Sequence, residues 1–488
     1  MKKKMELIAV FDIGTSAVKG LLIKKDGSIY TEGAKTVQTF KGENGKMEQD
    51  PEEWWSGIRE ITDSWFERHA IPREAIQAVT FSGQMEDVIL IRGNETTKRA
   101  ILYSDMRAGE EAGWIRRHHP YLEDVTANTI APSTPLAKLR WLAHHGEKAG
   151  TVVFSAKDYI IYKLTGSLVT DTVTGATTGA MDIHSKSWYP DILQKAGCPH
   201  FSLPELLAPE AVAGYVAGNS CGLPAGIPVM CGAGDAGAST MGAGALQEGD
   251  SYYYIGTTGW AAVPAAEPAS SSTGVFTLAH LLPQHYISIA PLLNAGNVLD
   301  WAKQTYMPDA GYHAFDETIN AARPGAGGLL FLPYLHGERF PVQDKKAAGL
   351  FYGIRPDTTA SDFMRAVVEG LCYSLRHVAD SLIGSGKGDI TLIGGGTKSR
   401  AWCQVLADVT GQTVRVPENS EYLPAFGISA TAFYQLGWSP DYHTFAADFL
   451  KKRNDAMYQP HLENCELYEN GYAAYLKLYP AVETLSLI

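Results

Sequence analysis

No stretch of this 488-residue chain approaches the ~20 uninterrupted apolar residues that a membrane-crossing helix needs, so no membrane span is expected. Positive charge is scarce: 41 Lys and Arg against 53 Asp and Glu leave a formal net charge of −12. Without a basic stripe that balance repels a phosphate backbone, so no nucleic-acid partner is expected. Cysteine is sparse too. Cys198, Cys221, Cys231, Cys372, Cys403 and Cys465 include no C-x-x-C pair and are expected as small buried residues, not staples or zinc ligands. No G-x-x-x-x-G-K-[ST] run occurs, so a nucleotide cannot be held by a P-loop. Lys2-Lys3-Lys4 could open a signal peptide, but Glu6 and Asp12 break the run behind it and no small-residue cleavage site follows. No low-complexity linker divides the chain. The expectation is a cytoplasmic α/β protein of two domains in direct contact.

What the chain does have is concentrated in Val229 to Gly244. Ile227 to Cys231 reads as a buried strand, followed by Gly232-Ala233-Gly234, then Asp235, then a small-residue segment that can start a helix. Gly232, Gly234 and Gly237 fit the dinucleotide pattern G-x-G-x-x-G. Asp235 inside the loop would oppose a pyrophosphate at the helix N-terminus, and the next strand does not end in a ribose-binding acid. A general base facing a substrate hydroxyl is the better reading of Asp235, and it requires a phosphate donor bound elsewhere.

Two turns supply candidates. Leu7 to Phe11 is an apolar strand, Asp12-Ile13-Gly14-Thr15-Ser16 turns it, and Val18 to Ile23 returns as a second strand. Tyr252 to Ile255 repeats that grammar: Gly256-Thr257-Thr258 turns into a strand from Gly259 to Val263. Such turns present backbone N–H groups and hydroxyls to an anion. Their spacing of half a chain suggests a duplicated architecture, with one phosphate hairpin per half.

Between them, Asp50 reads as the cap of a helix with Pro51 at its first position and Glu53 closing a capping box. Ala78 to Val88 and Ala100 to Arg107 read as strands running into polar residues, where α/β folds place ligands; the alternative for Glu86 and Asp105–Arg107 is a surface salt bridge. Gly218 to Gly222 fits G-x-S-x-G, but Pro224 and Pro228 forbid the helix that a nucleophile elbow requires. Ile390 to Ile393 is a strand ending in Gly394-Gly395-Gly396-Thr397, a loop flat enough for a nucleoside. Residues from about 440 to 488, rich in tyrosine, read as a packed terminal helix.

Taken in order, these segments resemble the FGGY family of carbohydrate kinases, within the actin/hexokinase/Hsp70-like superfamily. The match includes Asp12-Ile13-Gly14-Thr15, Met47-Glu48-Gln49-Asp50-Pro51, Ser82-Gly83-Gln84-Met85, Lys157-Asp158-Tyr159, Gly234-Asp235, Gly256-Thr257, Gly337-Glu338-Arg339 and Gly394-Gly395-Gly396. The resemblance implies two ribonuclease-H-like domains around a central cleft: 1–245, binding sugar and carrying the base, and 246–488, binding nucleotide. It implies ATP and Mg²⁺, a small-molecule sugar substrate, and a homodimer as one option.

By the same resemblance Asp235 is the catalytic base. Asp12 and Asp235 lie at the metal, and Gly14, Thr15, Lys19, Gly256 and Thr257 at the phosphates. Gly395, Gly396 and Thr397 hold the adenosine, although many members have Ala in place of Thr397. Gln84, Met85, Glu86, Asp105 and Arg107 contact the sugar, together with Asp235. Xylulose kinases usually carry Met-His where this chain has Met85-Glu86, and Trp-Asn-Asp in place of Tyr103-Ser104-Asp105. Glu86 resembles the acid of the Arg-Glu pair in glycerol kinases, without the arginine. A carboxylate there favours a neutral ketose or polyol. The alternatives are the same reaction on a sugar acid or deoxysugar, or a non-catalytic nucleotide sensor of the actin-like superfamily. A dehydrogenase is the third reading.

Overall fold

Strand pairing organises the molecule as two versions of one sheet. In the computed structural model, which describes residues 5–93, 95–218, 220–308, 311–383, 388–451 and 453–483, the apolar run Leu7–Ile13 is buried throughout. It pairs antiparallel with Ala17–Lys24, which pairs antiparallel with Ile29–Thr36. On its other side Leu7–Ile13 runs parallel to Ile76–Gly83, and Pro228–Met230 and Ala233–Gly234 run parallel to that strand in turn. The second sheet repeats the plan. Tyr252–Ile255 pairs antiparallel with Gly259–Ala265, and the latter with Tyr286–Leu292; on the far side Tyr252–Ile255 runs parallel to Ile390–Ile393. The duplication expected from the two turns is present.

The helices bury apolar faces against these sheets. The Asp50 carboxylate accepts from Glu52 N at the start of Pro51–Asp63, as a cap should. Glu53 does not close the expected capping box: its carboxylate accepts from Gln38 N instead, joining the helix to a neighbouring loop. The helix Leu423–Gln435 crosses Asp235–Ala243 at minimal separation, since a Cβ on Gly427 would stand 2.3 Å from Gly242 N and 2.4 Å from Ala238 O. That late helix packs on the first sheet, so one apolar cluster contains Val10 and Leu21 as well as Tyr252, Leu278 and Phe426.

The tail differs from its expectation. Ala456–Tyr458 adds a strand to the second sheet, and two helices follow, Cys465–Tyr475 and Leu478–Val482. Residues 1–4, 452 and 484–488 lie outside the described residues, as does Asn219 of the G-x-S-x-G match. The following Ser220–Gly222 is a short 3₁₀ turn leading to no helix, so no nucleophile elbow forms. All six cysteines are free, and all but Cys465 are buried. Among the described residues no helix is long and apolar enough to cross a membrane.

Candidate active site

Parallel register gathers the first half's polar residues at the carboxyl ends of three neighbouring strands. Asp12 stands opposite Ser82, Ser82 opposite Ala233, and Gly83 opposite Gly234. Asp235 follows at once, as the first residue of the helix Asp235–Ala243. Its Oδ1 accepts from Ala236 N at 2.8 Å. Burial, then the nearby negative charge of Asp12, push the Asp235 pKa up to about 7. Burial also raises Asp12, while Lys19, its partner across the hairpin, pulls the other way. Gly234 has no room for a side chain, because a Cβ there would lie 2.0 Å from Met85 Sδ. Met85 and Glu86 therefore stand beside the acid.

Glu86 adopts left-handed backbone geometry, φ 61°, unusual for a residue with a side chain. Lys138, fully buried, holds it there by donating to Glu86 O at 2.8 Å and to Leu102 O at 2.7 Å. Burial pushes the Glu86 pKa up to about 7 against the charges of Lys138 and Arg339. Both oxygens of the neighbouring buried Asp87 lack a hydrogen-bond partner.

Three expected sugar contacts also make hydrogen bonds within the chain. Each Asp105 oxygen accepts twice within the chain: Oδ1 from Arg107 N and Nε, Oδ2 from Met47 N and Arg107 Nη2. A carboxylate has about four acceptor positions, so none is left for a ligand. Arg107 also reaches Glu48 at 2.6 Å and is nearly enclosed, so this is a buried ion pair and not a surface one. The Gln84 amide accepts from Thr15 Oγ1 at 2.8 Å and donates to Gln49 Oε1 at 3.0 Å. Gln84, Asp105 and Arg107 pin loops, while Met85 and Glu86 remain beside Asp235. Tyr103, which the sequence reading left out, is drawn in: its hydroxyl lies 3.4 Å from Thr15 Oγ1.

The first Gly-Thr turn is closed by Gly14 N donating to Ala17 O at 3.0 Å, the second by Gly256 N donating to Thr258 O at 2.8 Å. Lys19, whose charge acts on Asp12, donates to Glu421 O at 2.8 Å and binds the hairpin to the far end of the chain. Ile390–Ile393 runs beside Tyr252–Ile255, so the Gly394–Thr397 loop emerges next to the second turn. Gly394 must be glycine, with φ 94° and Ile255 O at 2.6 Å from any Cβ, whereas Gly395 faces open space. Thr397 Oγ1 donates to Gly394 O at 2.7 Å and braces the loop. Tyr254, just before the second turn, has its pKa raised by burial and then by the charges of Asp12 and Asp235. The charges of both acids thus reach the residue two positions before Gly256.

Residues 7–242 match the N-terminal domain, and residues 251–436 the C-terminal domain, of the FGGY family of carbohydrate kinases. The chain belongs to this family. It is 29% identical to a xylulose kinase of Staphylococcus epidermidis over 99% of this chain and 98% of the relative. A gluconokinase of Bacillus subtilis is 26% identical over 84% of each chain. Among solved structures, a ligand-bound xylulose kinase from Lactobacillus acidophilus superposes with a TM-score of 0.88, 25% identity and coverage of 98% of this chain and 99% of that one. A gluconate kinase from the same organism gives 0.87 at 25% identity, with 98% of each chain covered. This FGGY protein is thus a carbohydrate kinase, using ATP with Mg²⁺. Its residues fit that pair. Asp12 and Asp235 are recessed carboxylates whose charges repel each other, an arrangement suited to a hard cation that keeps most of its waters. Among the described residues no group of three or more His, Cys, Asp or Glu could hold a metal ion.

Proposed function

We propose that this kinase phosphorylates a small neutral sugar, a ketose or polyol of the xylulose type, with Asp235 as general base. The observation that carries the reading is the position of Asp235: at the carboxyl end of the central strands, beside Met85 and Glu86, with a pKa pushed up to about 7 by burial and by Asp12. A carboxylate of that basicity can take the proton of an attacking hydroxyl near neutral pH. The reaction is mostly positioning, so Asp235 first orients the hydroxyl and accepts its proton late as the new O–P bond forms. Where Glu86 and Asp235 are ionised they disfavour an anionic sugar, which argues against a sugar acid.

In this reading Asp12 and Asp235 hold Mg²⁺, which when bound neutralises charge on the ATP phosphates. The turns at Gly14–Thr15 and Gly256–Thr257 present backbone N–H groups to the phosphates, and Gly395–Thr397 receives the adenosine. Residues 1–245 carry the sugar and the base, 246–488 the nucleotide. A cytoplasmic location, where ATP is available, and a homodimer complete the proposal. The test is an ADP-release assay over ketoses, polyols, aldonates and deoxysugars with ATP and Mg²⁺. A neutral ketose or polyol should give the highest kcat/KM; preference for an aldonate would overturn the substrate assignment.

A further inference from the structure

The helix that begins at Asp235 is fastened from the other half of the molecule. Its residues, Asp235–Ala243, are mostly small, so a long side chain from a neighbouring sheet can reach its backbone. Tyr252 does so. It opens the strand Tyr252–Ile255 of the second sheet, is wholly buried, and belongs to the apolar cluster that both sheets share.

Three polar side chains meet there in a relay with one direction. Trp260 Nε1 donates to the Tyr252 hydroxyl at 3.4 Å, and that hydroxyl lies 3.0 Å from Thr240 Oγ1 and 3.3 Å from Ala236 O. Thr240 Oγ1 gives its own hydrogen to Ala236 O at 2.8 Å, so the Tyr252 hydrogen points to Thr240. Burial pushes the Tyr252 pKa up to about 12, which keeps that hydrogen in place near neutral pH.

Both ends of the relay reach groups of the proposed active site. Ala236 N donates to Asp235 Oδ1 at 2.8 Å, so the residue that receives the relay at its carbonyl also holds the carboxylate at its amide. At the other end, Tyr252 precedes and Trp260 follows the turn Gly256–Thr257. Trp260 stands opposite Tyr254 in the antiparallel register and stacks on it, with ring centroids 4.0 Å apart and planes 9° from parallel. That stack fixes the direction of the indole N–H.

We propose that Tyr252 is a positioning residue for the phosphoryl transfer. It holds the first turn of the Asp235 helix against the strand that leads into Gly256–Thr257. It thereby sets the distance between the sugar hydroxyl at Asp235 and the phosphate at that turn. The inference rests on the reading of Asp235 and the second turn given above, and deepens it. The two reacting groups sit on different sheets, and a misplacement of ~1 Å can cost ~10²-fold in rate. The loss falls on kcat, because each substrate still binds its own side.

The experiment compares Tyr252→Phe, Thr240→Val and Thr240→Ser with wild type, using the best sugar found, ATP and Mg²⁺. Tyr253→Phe is the control. It removes a buried hydroxyl from the same strand, but its ring packs in the apolar cluster on the strand's other face. Tyr252→Phe and Thr240→Val should each lower kcat ~10-fold or more, with KM for ATP and for sugar within ~3-fold of wild type. Combining them should cost little more than either alone, because both break one relay. Thr240→Ser keeps the hydroxyl and should recover most of what Thr240→Val loses; if Tyr252→Phe does not fold, that pair decides. A kcat for Tyr252→Phe within ~2-fold of wild type would overturn the proposal. So would a loss that appears in KM instead of kcat, or one that Tyr253→Phe shares, since either marks general loosening of the strand. Asp235→Asn, assayed in parallel, keeps the two readings apart. Turnover there near wild type overturns the base itself, whereas loss there beside a normal Tyr252→Phe overturns the positioning role alone.

Discussion

Asp235 is expensive to keep. Burial and Asp12 raise its pKa from 3.8 to about 7. Between those values the folded protein holds a proton that the unfolded chain releases, so stability falls as pH rises through that window. Asparagine cannot ionise. In EDTA and without nucleotide, Asp235→Asn is therefore expected to melt several degrees above wild type at pH 8, a gain of order 1–3 kcal/mol. The gap should close as pH is lowered toward 4; a gap independent of pH would assign it to something other than this carboxylate. Asp12 and Asp235 stood out in the sequence by local pattern, Asp12 near the end of an apolar strand just before a tight turn and Asp235 after an apolar strand and a glycine-rich turn. The internal partners of Gln84, Asp105 and Arg107, here Thr15, Gln49, Met47 and Glu48, were not legible, because the same pattern shows a charged strand end without showing what it pairs with. Lys138 gave no local signal. It lies mid-helix, and its role depends on carbonyls 52 and 36 residues away.

Elements were more readable than their crossings. Both hairpins, the Pro51 helix and the strand before Gly394 follow from apolar runs and turn residues close in sequence. The strand Ala456–Tyr458 was missed because its three residues are mostly exposed and carry no alternation; it forms only against Val414–Val416. The packing of Leu423–Gln435 on Asp235–Ala243 was also invisible, since Gly242 and Gly427 are 185 positions apart (427 − 242). That crossing sets the depth of the base helix. In an open helix Gly→Ala stabilises by roughly 0.5–1 kcal/mol. At Gly427 the new methyl would meet Gly242 N at 2.3 Å and Ala238 O at 2.4 Å, so the sign reverses. Gly427→Ala should lose about 1–3 kcal/mol or more in urea unfolding. It should also lower kcat, because the shift passes directly to Asp235; unchanged stability would mean the helices do not meet so closely in solution.

At the scale of the whole molecule, one sheet plan occurs twice, and one apolar cluster runs through both copies. The duplication was legible from Gly14-Thr15 and Gly256-Thr257; the shared core was not, because it depends on a late helix returning to the first sheet. Calorimetry should accordingly show a single cooperative transition, raised by ATP and sugar together more than by either alone; two transitions, one retained in a fragment ending at residue 245, would contradict it. The central claim is that Asp235 acts on the sugar hydroxyl and does not serve binding alone. Its most direct test measures ADP release and, separately, ATP and sugar affinity for wild type and Asp235→Asn with the best substrate. The account predicts a fall in kcat of at least ~10² with ATP still bound nearly as tightly. Turnover near that of the wild type would contradict it.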